Sequence, residues 1–217
     1  MKTFRILSIL LVFISLSGIV CAQDKPATYS DAPEARIGIL GGLSIATIIK
    51  TNDANFSSTP LYGFNAGGVL QLPLGRVIAL QPEVLFSQKG YRATGTAALN
   101  NYDYRRSLNC LDIPLLVRIN LAKELGIVAG PQYSYLLSTT TSFKSGTTSY
   151  MESVKNDNDN IRRNVFGGVI GLDINLDRNF FLYGRYTIDF KNNNGDGTSS
   201  TPAYKNQVFQ AGIGILF

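Results

Sequence analysis

The sequence predicts an all-β chain: eight antiparallel strands closed into an up-and-down transmembrane barrel. Three features point to this. Eight stretches alternate apolar with small or polar residues at period two, as strands do when their two faces meet different surroundings. Charges of both signs fall on the poorer face of those stretches, while the other face is bulky and apolar. The connections alternate between very short and long.

The chain opens with Lys2 and Arg5, then an apolar run over residues 6–20, then Cys21 and Ala22. Such a run is too short to span a bilayer and has the order of a secretory signal peptide. Val20 and Ala22 suit cleavage after Ala22, giving a signal peptide over 1–22. The rival, a lipid anchor on Cys21, is disfavoured because Val20 precedes the cysteine where a small residue is usual. Residues 23–34 are polar, with two prolines, and read as a flexible lead-in; the barrel domain is expected over 35–217.

The first strand is expected at 35–48, with Ile37, Ile39, Leu43 and Ile45 on one face and Arg36, Gly38, Gly42 and Ser44 on the other. The second, 61–72, sets Tyr62, Phe64, Ala66, Leu70 and Leu72 against Gly63, Asn65, Gly67 and Gln71. The third, 77–90, sets Ile78, Leu80, Val84 and Phe86 against Gln81, Glu83, Ser87 and Lys89. The fourth, 108–119, sets Leu111, Ile113, Leu115 and Val117 against Asp112, Pro114 and Arg118.

The fifth strand, 125–137, has Ile127, Ala129, Tyr133, Tyr135 and Leu137 opposite Val128, Gly130, Gln132 and Ser134. The sixth, 163–176, has Phe166, Ile170, Leu172 and Ile174 opposite Gly167, Gly171 and Asp173. The seventh, 180–190, has Leu182, Tyr186, Ile188 and Phe190 opposite Tyr183, Arg185, Thr187 and Asp189. The eighth, 204–217, carries Phe209, Ala211, Ile213, Ile215 and Phe217 on its apolar face, and its other face reads as small or polar. A sheet seldom leaves such a strand as a bare edge, so it is expected to close on the first.

The short connections are 73–76, 120–124 and 177–179; the long polar ones are 50–59, 92–106, 138–161 and 191–203. This is the asymmetry of outer-membrane barrels, with short periplasmic turns and long external loops. The charged face must be the lumen, because each Arg or Lys facing hydrocarbon at the midplane costs about 2–4 kcal/mol. An eight-stranded interior is just wide enough for side chains to fill. Tyr62, Tyr135 and Phe190 suit an outer aromatic girdle, Phe180 and Phe217 an inner one.

Composition narrows the chemistry. There is no histidine, which removes Ser-His-Asp, Cys-His and His-metal sites together. Only Cys110 survives signal cleavage, so no intrachain disulfide forms. Losing Lys2 and Arg5 lowers the formal charge from +5 to +3, too weak and scattered for nucleic acid. No segment after the signal is apolar and long enough for a membrane helix.

Residues 204–217 resemble the terminal strand of bacterial outer-membrane barrels, which commonly finish in Phe. More specifically, L-Q-P-E-V-L-F-S-Q-K-G-Y (80–91), N-C-L-D-I-P-L-L-V-R (109–118) and I-V-A-G-P-Q-Y-S-Y-L-L (127–137) are similar to the barrel domain of PorT-type proteins from Bacteroidota. Cys110 stands where that family often has Tyr. The resemblance implies an eight-stranded outer-membrane barrel of mostly unassigned role; the link of one member type to a protein secretion system is not transferred.

Four groups are site candidates. Glu83, Asp112, Arg118 and Arg185 could form an intramembrane polar site or simply a paired lumen filling, and the second is preferred. Asn156, Asp157, Asn158, Asp159 and Asn160, and likewise Asn192, Asn193, Asn194, Gly195, Asp196 and Gly197, could offer oxygens to calcium, but neither matches an EF-hand loop. Arg92, Arg105 and Arg106, with Tyr102 and Tyr104, could touch lipopolysaccharide phosphates, against an ordinary basic loop.

The expectation is a non-enzymatic barrel in the bacterial outer membrane with a plugged polar lumen and no catalytic residue, metal or cofactor. Its role is structural or interactive, through four external loops. The partners expected are outer-membrane lipids and lipopolysaccharide, the barrel-assembly machinery, and a protein bound by the loops. The alternatives are a narrow small-solute channel, a secretion-associated barrel, or an enzyme on the barrel rim.

Overall fold

A computed structural model describes residues 34–50, 58–97, 100–145, 148–154, 162–193 and 204–217. The signal peptide expected over 1–22, and all of the lead-in but Glu34, lie outside the described residues. The described residues form ten strands: β1 Arg36–Lys50, β2 Ser58–Thr59, β3 Leu61–Pro73, β4 Ile78–Ala97, β5 Asn100–Asn120, β6 Leu125–Ser145, β7 Thr148–Val154, β8 Asn164–Asn175, β9 Phe180–Asp189 and β10 Tyr204–Leu216. Every pairing is antiparallel. Eight of the strands form a closed ring in the order β1, β3, β4, β5, β6, β8, β9, β10 and back to β1. Each corresponds to one of the eight expected from the sequence, and β4, β5 and β6 run well past the expected ends. The two additional strands, β2 and β7, each pair with one ring strand, β4 and β6 respectively, at its extended end.

Closure satisfies the backbone groups of each ring strand on both sides, a necessity where no water is available to do so. Period-two alternation then assigns the faces. Ile37, Leu43, Tyr62, Val84, Leu115, Ile170, Leu182 and Phe209 point outward and are exposed, while Ser44, Asn65, Gln81, Glu83, Asp112, Asp173 and Arg185 are buried. A continuous exposed apolar surface of this extent is the signature of contact with lipid.

The expected inner face needs one correction. It is not only small and polar: Leu40, Val69, Leu85, Phe181, Tyr183 and Leu216 form an apolar cluster inside, and Leu116, Val128 and Val169 form another. Facing glycines make this possible. At the seam, Gly42 pairs with Gly212, and a Cβ on either would stand 2.6 Å from the Tyr183 hydroxyl. A Cβ on Gly214 would run into the Phe181 ring. Glycine in β10 therefore makes sockets for two aromatic rings carried by β9.

The three short connections are tight, as expected. Leu74 N donates to Ile78 O (2.9 Å), and Leu121 N donates to Leu125 O (2.9 Å). Asp177 Oδ1 accepts from Phe180 N and Asn179 N, both at 2.7 Å. These bonds, Phe180 first, hold the Asp177 carboxyl below the usual carboxylate range.

Two expected loops are largely strand. Residues 92–97 and 100–106 continue the β4–β5 ladder, and 138–145 with 148–154 form a hairpin of β6 and β7. β4, β5 and β6 have 20, 21 and 21 residues, about twice the 9–11 of a tilted spanning strand. Beyond the bilayer neither face needs to be apolar, so the ladder goes on while the alternation that announced it stops. The change of surroundings is marked in the backbone. Gly90 in β4 adopts φ 128°, which only glycine takes without strain. At the neighbouring level a bulge at Leu137 shifts the β5–β6 register between Asn109 and Cys110. The expected loops over 50–59 and 191–203 are described only at their ends, where Ser58 and Thr59 form β2.

Candidate functional site

Among the described residues, seven charged side chains are buried in the lumen: Glu83, Lys89, Asp112, Arg118, Asp173, Arg185 and Asp189. Strand alternation brings each of them to the inside, and the register sorts them into two groups. The sequence grouping of Glu83, Asp112, Arg118 and Arg185 is corrected in one respect: Asp112 belongs to the other group, and Asp173 takes its place.

In the first group, Arg185 of β9 pairs with Glu83 of β4 and lies 3.5 Å from Asp173 of β8. Arg118 of β5 reaches the same Asp173 at 3.3 Å, and donates to Asn120 and Asn175 at 2.9 and 3.0 Å. Gln81 Nε2 bridges the carboxylates, donating to Glu83 at 2.9 Å and to Asp173 at 3.2 Å, and its Oε1 accepts from Gln71. Tyr183 lies under the Arg185 guanidinium at 4.9 Å, and its hydroxyl donates to Asn65 at 2.5 Å. Two acids and two bases thus neutralise one another across four strands.

In the second group, Lys89 of β4 stands 3.1 Å from Asp112 and 3.8 Å from Asp189, and donates to Ser134 at 2.9 Å. Ser87 donates to Asp112 at 2.5 Å, and Asn206 donates to Asp189 at 2.8 Å. The buried thiol of Cys110 packs with Leu108 and Leu136.

The other candidates separate. Arg106 and Tyr104 turn inward: Arg106 shares a side-chain hydrogen bond with Tyr91, and Tyr104 packs on the buried cluster of Ile48, Tyr91, Ala93 and Tyr204. Arg92 and Arg105 are exposed on the opposite face of the ladder. Tyr102 pairs with Ser145 through the backbone, and its side chain lies outside the described residues. Residues 156–160 and 194–197 also lie outside them. Asn193 is engaged otherwise: its N donates to Tyr204 O at 2.9 Å and its Oδ1 accepts from Tyr204 N at 2.8 Å. Among the described residues, no three acidic, Cys or His side chains gather as for a metal ion.

The outer aromatic girdle is fuller than the sequence reading had it. Of the three expected members, Tyr62 and Phe190 are exposed and Tyr135 is partly buried. Phe64 packs tilted on Phe86, Tyr133 on Phe166, and Tyr186 on Phe209, at centroid distances of 5.4, 5.3 and 4.8 Å. Pairs across neighbouring strands could not be read before the register was known.

A closed ring of eight antiparallel strands, apolar outside and charged within, defines an outer-membrane β-barrel. The outer membrane protein beta-barrel domain family matches residues 21–214, and the chain belongs to that family. It is a protein of the bacterial outer membrane. Solved structures similar to it include Ail, the attachment invasion locus protein of Yersinia pestis (15% identity, TM-score 0.46, covering 85% of this chain and 100% of that one). Neisserial surface protein A is also similar (12%, 0.47, 87% and 100%). So is the outer membrane protease OmpT of Escherichia coli (9%, 0.44, 89% and 99%). No curated protein matches the chain.

Proposed function

We propose that this barrel is non-enzymatic and has a plugged lumen, and that it works through the surface it raises beyond the bilayer, in envelope integrity, adhesion or capture of a protein partner. The observation that carries this reading is the lumen itself. Its charged groups are engaged with one another, and Gln81, Leu116, Val128, Phe181 and Asp173 have no accessible surface. A pore needs the opposite, wet charges along an open path. The ladder of β4–β7, continued about ten residues past the band, supplies the surface where a partner would meet the protein.

Rim catalysis finds little support. Without histidine a serine nucleophile lacks its usual base. Asp112 and Asp189, two buried carboxylates, share Lys89 rather than a proton. The PorT-type assignment is also part of the proposal. Its motifs supply Gln81, Glu83, Asp112, Arg118, Gln132 and Ser134, all buried lumen residues, alternating with the outward-facing Val84, Ile113 and Leu115. A secretion role is not carried over.

Conductance tests the plug. Purified, refolded protein in planar bilayers is expected to give no steady open level; stable large steps would reject the reading. Epitope tags test the orientation. A tag between Ala97 and Asn100 is expected to be labelled on intact cells, whereas one at Lys123 in the β5–β6 turn is not. Labelling of the turn would reverse the topology.

A further inference from the structure

The outward face of β4, β5 and β6 changes in steps as it leaves the apolar band. Phe86, Leu111 and Tyr135 form one register row. The next is polar: Gln88 donates to Asn109 at 3.1 Å, and Asn109 donates to Ser138 at 2.9 Å. Four residues further along β4, Arg92 is the register partner of Arg105, which pairs in turn with Ser142. The row above holds another pair, Asp103 and Lys144.

These four charges are unevenly matched. Arg92 grips Asp103 with two bonds, Nε to Oδ1 at 2.8 Å and Nη2 to Oδ2 at 2.6 Å. Arg105 and Lys144 are both exposed, next to a carboxylate already taken. Both still act on it: after the Arg92 hydrogen bond, the charges of Arg92, Lys144 and Arg105 help hold the Asp103 carboxyl below its usual range. The cluster sums to +2. Like charges directly opposite on neighbouring strands are destabilising, so the Arg92–Arg105 pairing and Lys144 beside it favour an external anion. Height favours one source. At about 3.3 Å per residue and a tilt of about 40°, Arg92 stands about 10 Å beyond the Gln88 row. Arg and Lys side chains can bend back from there to a headgroup layer while their stems cover apolar surface.

We propose that Arg105 and Lys144, framed by the Arg92–Asp103 pair, clamp the phosphate groups of an outer-leaflet glycolipid of the lipopolysaccharide class. The guanidinium fork fits phosphate bidentately, and the lysine adds a point charge. The apolar wall of Phe86, Leu111 and Tyr135 below lies where the acyl chains of the same molecule run. The site lies on the outward face of the ladder, just above the apolar band, so it is independent of whether the lumen conducts.

The test is titration of lipopolysaccharide onto the refolded full-length barrel in detergent, followed by native mass spectrometry, with the heat-modifiable gel band as the check on folding. Wild-type protein is expected to hold lipopolysaccharide, and the double variant Arg105→Gln/Lys144→Gln to bind it about tenfold more weakly or worse. The charge-preserving Arg105→Lys/Lys144→Arg should stay within about threefold of wild type, the cost of losing a bidentate fork. Asp103→Asn carries a sign that a merely structural cluster would not give: freeing Arg92 should tighten binding. Dephosphorylated lipopolysaccharide should bind wild type and double variant alike. Equal affinity of the folded double variant for intact lipopolysaccharide would overturn the proposal, and so would full competition by inorganic phosphate at matched concentration, which marks a free-anion site.

Discussion

Deleting residues 213–217 is expected to abolish the folded barrel. The deletion removes the pairings of Ile213, Gly214, Ile215 and Leu216 with Gly41, Leu40, Ile39 and Gly38 across the seam. It also removes those of Ile213, Gly214 and Ile215 with Leu182, Phe181 and Phe180. The bond from Phe217 N to Ile37 O goes too, as do those joining Leu216 to Asn179. Two strand edges would then open into hydrocarbon, where each unpaired backbone group costs several kcal/mol. The interior suffers as well, because Leu216 belongs to the apolar cluster and Gly214 is the socket for Phe181. The measurement is the heat-modifiable, SDS-resistant band in membrane fractions. A normal band from the truncated chain would mean that β10 does not close the ring. Phe217→Ser is the informative contrast. Phe217 is exposed on the lipid side and that substitution leaves every ladder bond in place, so the refolded protein should give the normal band. Slower assembly in cells would then report on the Phe217 side chain alone.

The alternation that revealed the ring is a report on lipid, which explains both its success and its limits. Ile37 through Ile45 and Phe209 through Phe217 show it because each outward side chain meets hydrocarbon. Thr139 to Ser145 is equally strand, yet it reads as loop, since above the bilayer neither face is selected for apolarity. Its β-branched threonines were the available signal. The charged lumen was legible for the same reason the apolar exterior was: it is the other half of one alternation.

Who pairs with whom inside was not legible. Asp112 and Asp173 are both inward acids next to apolar neighbours. Only the stagger of strands around the ring puts Asp173 beside Arg118 and Arg185, and Asp112 beside Lys89. Likewise, Arg105 and Arg106 are adjacent in sequence and point to opposite faces, which separates one basic segment into a lumen residue and a surface one. The glycines of β10 looked like small lumen fillers. Their use as ring sockets depends on Phe181 and Tyr183 arriving from the neighbouring strand.

The second large effect is expected at Arg185. Arg185→Met should lower stability by about 3–5 kcal/mol, the usual result of breaking a buried ion pair by removing one partner. The loss falls unequally on its two acids. Asp173 keeps Arg118 at 3.3 Å and the Gln81 amide at 3.2 Å. Glu83 keeps only the Gln81 amide, at 2.9 Å, among the bonds described, and becomes a buried carboxylate with no paired cation. The double variant Arg185→Met/Glu83→Gln should therefore recover most of the loss, because replacing both members of a buried pair is often close to neutral. Arg92→Ala removes one member of a pair whose side chains are 49% and 38% exposed, and should leave the midpoint unchanged. The chain contains no tryptophan, so the folded fraction against urea is best read from the gel shift of unheated samples in detergent. If Arg185→Met unfolds at the wild-type midpoint, the lumen charges are hydrated and independent, and the plugged interior loses its main support. If the single variant is destabilised but Glu83→Gln does not restore it, the guanidinium acts through its stacking on Tyr183 at 4.9 Å, and the aromatic socket, rather than charge neutralisation, holds that part of the barrel.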